Sequence, residues 1–330
     1  MVDLSSFWRW VATLGMPVSG VSNKYRHARS MSILGSHKFP NRKGKQMPLG
    51  KKDLIELMDR YQIKPSKSLG QNFVIDPNTI HRIIRDAKIG SGDQILEIGP
   101  GFGSLTCELA KFGKVVAIEY DRFLLEGFSE VMTSHGVEET VEIIHADAMK
   151  ISWTEFFSQR EGIWKMVSNL PYNIASPLLI TVLEQAPQID EIFVMVQKEV
   201  AERFAATPGT NACGIPSVKS QYWSEVSVIG KVSPAVFYPA PRVDSALLHF
   251  KRRTLPMAVN ISTFNEIVRK AFAHRRKMLR KSIGRGIEQS TFTDANVDPR
   301  SRPEELTVKN WVDLANGLDL EKENKLGSSQ

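Results

Sequence analysis

The sequence predicts an α/β fold built on a mostly parallel sheet, followed by a smaller all-helical region. Apolar strands alternate with amphipathic helices between residues 94 and 206, which is typical of a parallel sheet with helices on both faces. A glycine-rich turn, Gly99 to Gly103, follows the first of these strands. After Arg253 the apolar spacing is helical almost to the C-terminus.

Each element has its own signal. Asp76 followed by Pro77 predicts the N-cap and first residue of a helix. Residues 222–228 and 243–250 have no helical pattern between them and are predicted to pair antiparallel at one sheet edge. An earlier helix, ending before Pro65, is predicted by apolar residues at helical spacing, which are Leu54, Leu57, Met58 and Tyr61. The other predicted strands are 94–98, 115–118, 141–144, 166–168 and 192–196, and the predicted helices between them are 105–112, 124–134, 175–184 and 198–206.

The chain divides into four predicted segments. Residues 1–50 form a basic extension, with eight lysines and arginines against one acid, Asp3. This composition predicts a disordered tail, an organellar transit peptide or an RNA-contacting arm, and Met47 is an alternative initiator. Residues 51–254 form the sheet domain, 255–320 a helical domain, and 321–330 a polar tail.

Charge and cysteine content narrow the class of protein. The net charge of +7 over 330 residues favours a polyanionic partner. With only Cys107 and Cys213, the chain has no disulfide framework and no paired zinc-ligand spacing, so a reducing compartment and no metal are expected. No apolar run approaches the roughly 18 residues of a membrane span. We expect a cytoplasmic monomer, or a mitochondrial or plastid protein if residues 1–50 are a transit peptide.

Polar residues lie at the carboxyl ends of the predicted strands, where open α/β sheets bind ligands. Gly99, Gly101 and Gly103 let the backbone turn sharply and approach a ligand. Glu119 ends the next strand about 20 residues later, where it can accept hydrogen bonds from both hydroxyls of a ribose. Asp147 can accept a hydrogen bond from an adenine amino group or cap a helix. The spacing GxGxG, in place of GxGxxG, argues against a dinucleotide.

The loop Asn169-Leu170-Pro171-Tyr172 after the fourth strand is more specific. An adenine N6 amine is a poor nucleophile because its lone pair is delocalised into the ring. The Asn169 side-chain oxygen and the Leu170 carbonyl can accept its two N–H bonds, and Tyr172 offers a face for stacking. Alone these residues also suit a simple turn. After the glycine turn, Glu119 and Asp147, they predict methyl transfer to a base amine.

Five segments carry a family resemblance. They read SLGQNF at 68–73, EIGPGFG at 97–103, NLPYNI at 169–174, FYPAPRVDSA at 237–246 and AFAHRRK at 271–277. Together they resemble the ribosomal RNA adenine N6-dimethyltransferase family, KsgA type, over about residues 64–281. The loop at 211–214 departs from the family, which usually has an aromatic residue before Gly214.

The resemblance implies a Rossmann-like class I S-adenosylmethionine methyltransferase sheet with a smaller C-terminal all-helical domain. It implies dimethylation of two adjacent adenines in a hairpin near the 3′ end of small-subunit rRNA, within the small ribosomal subunit or its precursor. S-adenosylhomocysteine would be the product. The implied catalytic residues are Asn169, Leu170, Tyr172 and Phe237, with Tyr172 and Phe237 flanking the adenine. The implied cofactor contacts are Asn72, Val74, Gly99, Gly101, Glu119, Asp147 and Asn169.

Basic residues are dense near the C-terminus. Between Arg269 and Arg285 there are eight lysines and arginines and no acid, which suits a phosphate track or a solvated helix face. The predicted RNA-binding residues are Arg242, Arg269, Lys270, Arg275, Arg276, Lys277, Arg280 and Lys281.

Two other functions stay open. A large-subunit rRNA adenine methylase of the macrolide-resistance type would share the cofactor site and catalytic loop, although the segments at 237–246 and 271–277 favour the small-subunit enzyme. A non-catalytic ribosome-assembly or transcription factor that retains the fold belongs to a different class.

Overall fold

The computed structural model of the chain describes residues 48–254, 256–284 and 287–327. The predictions for residues 1–50 therefore fall almost wholly outside the described residues, as does Arg285. The strands are β1 (Phe73–Val74), β2 (Gln94–Ile98), β3 (Lys114–Glu119), β4 (Val141–His145), β5 (Trp164–Asn169), β6 (Ile189–Gln197), β7 (Ser224–Val232), β8 (Phe237–Tyr238) and β9 (Ser245–Arg252).

Seven of these strands form one sheet in the order β4-β3-β2-β5-β6-β9-β7. Strands β2 to β6 are parallel, whereas β9 runs antiparallel between β6 and β7. The predicted alternation and the antiparallel edge pair are confirmed. Strands β1 and β8 make a separate antiparallel pair, in which Phe73 faces Tyr238 and Val74 faces Phe237.

Helices cover both faces of the sheet. Successive residues of β2 show this, since Ile95 packs in one apolar cluster while Leu96 and Ile98 pack in another. The helices are α1 (Lys51–Arg60), α2 (Pro77–Asp86), α3 (Ser104–Leu109), α4 (Leu125–His135), α5 (Trp153–Ser158), α6 (Ala175–Gln185), α7 (Lys198–Phe204), α8 (Ile215–Trp223), α9 (Ile261–Ala273), α10 (Leu279–Ser282), α11 (Gln289–Asp294) and α12 (Val308–Gly327).

Local chemistry explains where several elements begin. Asp76 caps α2 as predicted, since its carboxylate accepts hydrogen bonds from the backbone N–H groups of Asn78 and Thr79. Asn260 caps α9 in the same way through the N–H groups of Ser262 and Thr263. Within the described ranges, no helix is long and apolar enough to cross a membrane.

The strand predicted at 222–228 starts too early. Tyr222 and Trp223 end helix α8, which the sequence did not reveal, and β7 begins at Ser224. The reason is tertiary packing, because Val218 and Tyr222 of α8 enter the apolar core of the C-terminal helices. Residues on both sides of the boundary predicted at 254 therefore share one core.

The polar tail predicted at 321–330 is helical as far as Gly327. The buried Glu321 carboxylate accepts a hydrogen bond from the backbone N–H of Glu288 and contacts the Thr291 hydroxyl. The sequence suggests that Glu321 is exposed, but its carboxylate has partners inside the helical core. Helix α12 therefore continues past Glu321.

Candidate active site

A cavity of about 330 Å³ lies at the carboxyl ends of β2, β3 and β5. Its volume falls in the range of small-molecule sites, roughly 300–1,000 Å³. Most of the predicted site residues line it, namely Asn72, Val74, Gly99, Gly101, Glu119, Asp147, Asn169, Leu170 and Tyr172. Leu49 and Leu54, from α1 and the residues before it, complete one wall.

Two glycines of the turn are required by their surroundings. Gly99 has a φ of +69°, and a Cβ there would lie 3.0 Å from the Pro171 ring. Gly101 has a φ of +61°, and its Cβ would lie 2.8 Å from the Phe73 ring. Any other residue at either position would have a strained backbone and would push the turn away from β1 or from the loop 169–172, here called the catalytic loop.

Glu119 presents a buried carboxylate at the end of β3. Its oxygens accept hydrogen bonds from the backbone N–H groups of Gly101 (3.1 Å) and Asp121 (2.8 Å). Burial is the main reason that the pKa of Glu119 is raised to about 7. A carboxylate held this way at a cavity wall can accept hydrogen bonds from a ligand diol.

Glu97, in the adjacent strand β2, is a second buried acid. Its carboxylate accepts a hydrogen bond of 2.7 Å from the Thr106 hydroxyl. Burial, together with repulsion from Glu119, raises the pKa of Glu97 to about 8. Because both carboxyl groups are buried and repel each other when ionised, their ionisation at neutral pH destabilises the ligand-free protein.

These raised pKa values predict an unusual dependence of stability on pH. Between about pH 4.5 and 8 the folded state binds more protons than the unfolded chain, so the free energy of unfolding should fall as pH rises. Urea unfolding of the free protein at pH 5 and pH 8 measures this fall. The Glu97→Gln variant should show a much smaller one, and an unchanged fall would contradict the burial of an ionisable Glu97.

Asp147 caps a helical turn and also lines the cavity. It follows β4, lines the cavity and caps the helical turn Ala148–Lys150 by accepting a hydrogen bond of 3.0 Å from the Met149 N–H. Its other carboxylate oxygen lies 3.7 Å from the Lys150 ammonium. Cap and ligand contact are compatible, because the carboxylate is only partly occupied by the cap.

The side-chain nitrogen of Asn169 has a hydrogen-bond partner, whereas its side-chain oxygen has none among the described residues. Its amide nitrogen donates a hydrogen bond of 2.9 Å to the Asn72 carbonyl. Its side-chain oxygen is buried, and within the described part of the chain no group donates a hydrogen bond to it. Such an acceptor costs about 1–3 kcal/mol of stability. An unsatisfied acceptor at a cavity wall is suited to a ligand N–H group.

Tyr172 lies beyond it in the same loop. Tyr172 lines the cavity, and its hydroxyl forms a hydrogen bond of 2.6 Å with the Ser245 hydroxyl on β9. Burial raises the pKa of Tyr172, so the phenol stays neutral. The side chain is therefore an uncharged aromatic group in the same loop as Asn169.

Phe237 is not brought to the cavity. Its side chain is 2% exposed, it packs in the apolar cluster that contains Val74, and it is not among the described residues that line the cavity. The catalytic role implied for Phe237 thus has no geometric support in this conformation.

Residues 66–74 form a segment, here called the strap, of which residues 69–74 line the cavity. The sequence identified this segment only in part. The Gln71 amide donates a hydrogen bond of 2.8 Å to the Asp121 carboxylate, just beyond Glu119. The Asn173 amide donates one of 3.2 Å to the Ser68 carbonyl. The strap thus connects the end of β3 to the catalytic loop, and it positions the Asn72 carbonyl that orients Asn169.

The predicted basic residues lie mainly on the surface of the C-terminal helices, whereas Arg242 is exposed near β9. Lys270 pairs with Glu266 at 2.5 Å, and Arg275 donates a hydrogen bond of 3.1 Å to the Asn211 carbonyl in the loop that departs from the family pattern. The side chains of five others are exposed and make no hydrogen bond or ion pair with the described residues, namely those of Arg269, Arg276, Lys277, Arg280 and Lys281.

Comparisons with known proteins identify the family of the chain. Residues 63–320 match the family described as ribosomal RNA adenine dimethylase. The chain is 39% identical over 277 residues to a protein of Streptomyces griseus named ribosomal RNA small subunit methyltransferase A. The alignment covers 81% of this chain and 94% of the relative. A protein of the same name from Bacillus cereus is 39% identical over 286 residues, covering 82% and 96%.

Solved structures show the same fold. A dimethyladenosine transferase from Plasmodium falciparum superimposes with a TM-score of 0.64 at 23% identity, covering 76% of this chain and 98% of that one. The 23S rRNA methyltransferase ErmE gives a TM-score of 0.57 at 26% identity, covering 75% and 100%. From the family match and the 39% identical relatives, we conclude that this chain is a methyltransferase of the ribosomal RNA adenine dimethylase family.

Proposed function

We propose that the protein dimethylates N6 of two adjacent adenines in a 3′-terminal hairpin loop of small-subunit rRNA, with S-adenosylmethionine as methyl donor, and has a role in small-subunit biogenesis. The observation that carries the proposal is the Asn169 oxygen, which is buried and accepts no hydrogen bond from the described residues, on a residue that lines the cavity together with the glycine turn and Tyr172. Such an oxygen can accept a hydrogen bond from the amine of a base. The names of the 39% identical relatives support the choice of the small subunit.

The cavity fits S-adenosylmethionine. The turn at Gly99 and Gly101 admits a ligand close to the backbone, Glu119 offers acceptors for the ribose hydroxyls, and Asp147 offers one for an adenine amino group. When bound, this cofactor supplies an electrophilic methyl group on a sulfonium and leaves as S-adenosylhomocysteine.

The chain's own residues then act on the target adenine. Asn169 Oδ1 and the Leu170 carbonyl accept the two N–H bonds of the amine and direct its lone pair toward the methyl group. As the nitrogen gains the methyl group, positive charge develops on the nitrogen, and both oxygens stabilise it. One N–H proton is then released to water, which leaves the neutral methylated amine. Tyr172 stacks on the base. Because the amine must enter a cavity, the adenine has to be unpaired or flipped out.

The experiment is methyl transfer from labelled S-adenosylmethionine to unmethylated small and large ribosomal subunits. We expect label in the small subunit alone. Label in the large subunit would instead indicate 23S rRNA methylation, the function of ErmE. Subunit binding without transfer would indicate the non-catalytic assembly factor.

We propose that the unpaired cations of the C-terminal surface bind RNA phosphates. Replacing Arg276, Lys277 and Lys281 with alanine should lower the magnitude of the slope of log affinity against log salt by about three, roughly one per contact. Salt titrations of subunit binding measure the slope. The matched control replaces three lysines that already have carboxylate partners, which are Lys52, Lys309 and Lys322. Equal slopes for both variants would contradict the proposal.

For the compartment we propose the cytoplasm, on the basis of the bacterial relatives. Imaging of the full chain with a C-terminal fluorescent tag tests this. A mitochondrial or plastid signal that is lost on removal of residues 1–50 would instead identify those residues as a transit peptide.

A further inference from the structure

We propose that Ser245 is a positioning residue for methyl transfer, because its hydroxyl sets the orientation of the Tyr172 ring against the target base. The inference rests on the proposed function. It concerns a residue of β9, which lies outside the cavity wall and was not among the predicted site residues.

Tyr172 and Ser245 are joined through their hydroxyl groups. The hydroxyls of Tyr172 and Ser245 lie 2.6 Å apart, a short distance for two neutral oxygens. Ser245 is fully buried, and Tyr172 is partly buried and lines the cavity. With little water present to replace it, this bond controls where the far end of the ring lies.

The backbone of Ser245 is held rigidly in the sheet. Ser245 is the first residue of β9, and its backbone is paired with Gln197 of β6 on one side and Val232 of β7 on the other. Tyr172, in contrast, lies in the loop between β5 and α6. The hydrogen bond therefore connects a loop residue to a strand that is paired on both sides. This connection fixes the position of the Tyr172 side chain more precisely than the loop alone would.

Asn169 and Tyr172 are oriented in the same way. The Asn72 carbonyl orients the Asn169 amide, and Ser245 orients Tyr172, so each side chain of the proposed acceptor site is held by one hydrogen bond from outside its loop. Losing the Ser245 bond should leave the stacking face present but poorly aligned. The second methylation, on an amine with a single remaining N–H, should suffer more than the first.

A double-mutant cycle tests this. Ser245→Ala and Tyr172→Phe should each lower kcat by roughly tenfold, the scale of one neutral hydrogen bond, and the double variant should lose no more. Both should accumulate N6-methyladenosine over the dimethylated product and keep the cofactor Kd of the wild type. Tyr172→Ala, which also loses the ring, should lose considerably more activity.

The control is Ser224→Ala. Ser224 is equally buried and donates a hydrogen bond of 2.8 Å to the Ser220 carbonyl, but it pairs with Arg252 at the opposite end of β9. It should match Ser245→Ala in thermal stability while retaining kcat. Additive losses in the cycle, or wild-type kcat and product ratio in Tyr172→Phe, would overturn the inference. Absence of transfer by the wild type would instead refute the proposed function.

Discussion

Asn169→Ala is expected to lower kcat for methyl transfer by about 10²- to 10³-fold, the cost of removing one preorganised polar group that stabilises developing charge. The acceptor that it removes is the buried Asn169 oxygen, which no described residue satisfies. Single-turnover transfer with saturating S-adenosylmethionine measures the loss without a contribution from cofactor binding.

Stability should change little in the same variant. The substitution removes the amide hydrogen bond to the Asn72 carbonyl but also removes the unsatisfied acceptor, and these two effects oppose each other. Asn316→Ala is the matched control, since its amide donates a hydrogen bond of 3.0 Å to the Ala258 carbonyl on the exposed surface. Activity of Asn169→Ala within a few-fold of this control would contradict the role of the Asn169 oxygen.

Glu119→Ala should weaken S-adenosylmethionine binding by at least about 100-fold, since two hydrogen bonds to a charged acceptor contribute about 1.5–3 kcal/mol each. Titration calorimetry measures the Kd. Because Glu119 also holds the N–H groups of Gly101 and Asp121, the gentler Glu119→Gln variant should be studied beside it. It keeps one acceptor and should show an intermediate loss.

Binding and stability should move in opposite directions for Glu119→Gln. At pH 8 it removes a buried charge whose pKa is raised to about 7, so the free protein should resist urea better than the wild type. Glu126→Gln, at an exposed acid on α4, should change neither quantity. An unaltered cofactor Kd in Glu119→Gln would contradict the ribose contact.

The sheet and its ligand-binding edge were predictable because they depend on local patterns. Strand β2 and the cap at Asp76 follow directly from apolar runs and a side-chain oxygen before a proline. Glu119 and Asn169 were predictable because parallel strands bring their carboxyl ends to one edge. Helix α8 was not, since its apolar face packs against helices that begin only at Ile261, far later in the chain.

Side-chain orientation was the other part that the sequence did not reveal. Nothing in the spacing from Tyr172 to Ser245 indicates that their hydroxyls meet, because that contact depends on β9 inserting between β6 and β7. Phe237 shows the converse. Its motif suggested a place beside the base, whereas pairing of β8 with β1 buries its ring with Val74.

The central claim is tested most directly by mass spectrometry of nuclease fragments from small ribosomal subunits, after reaction with the wild-type protein and S-adenosylmethionine. We expect two adjacent N6,N6-dimethyladenosines in one 3′-terminal fragment, absent with Asn169→Ala. Methylation elsewhere in the small subunit, or only in the large subunit, would contradict the account.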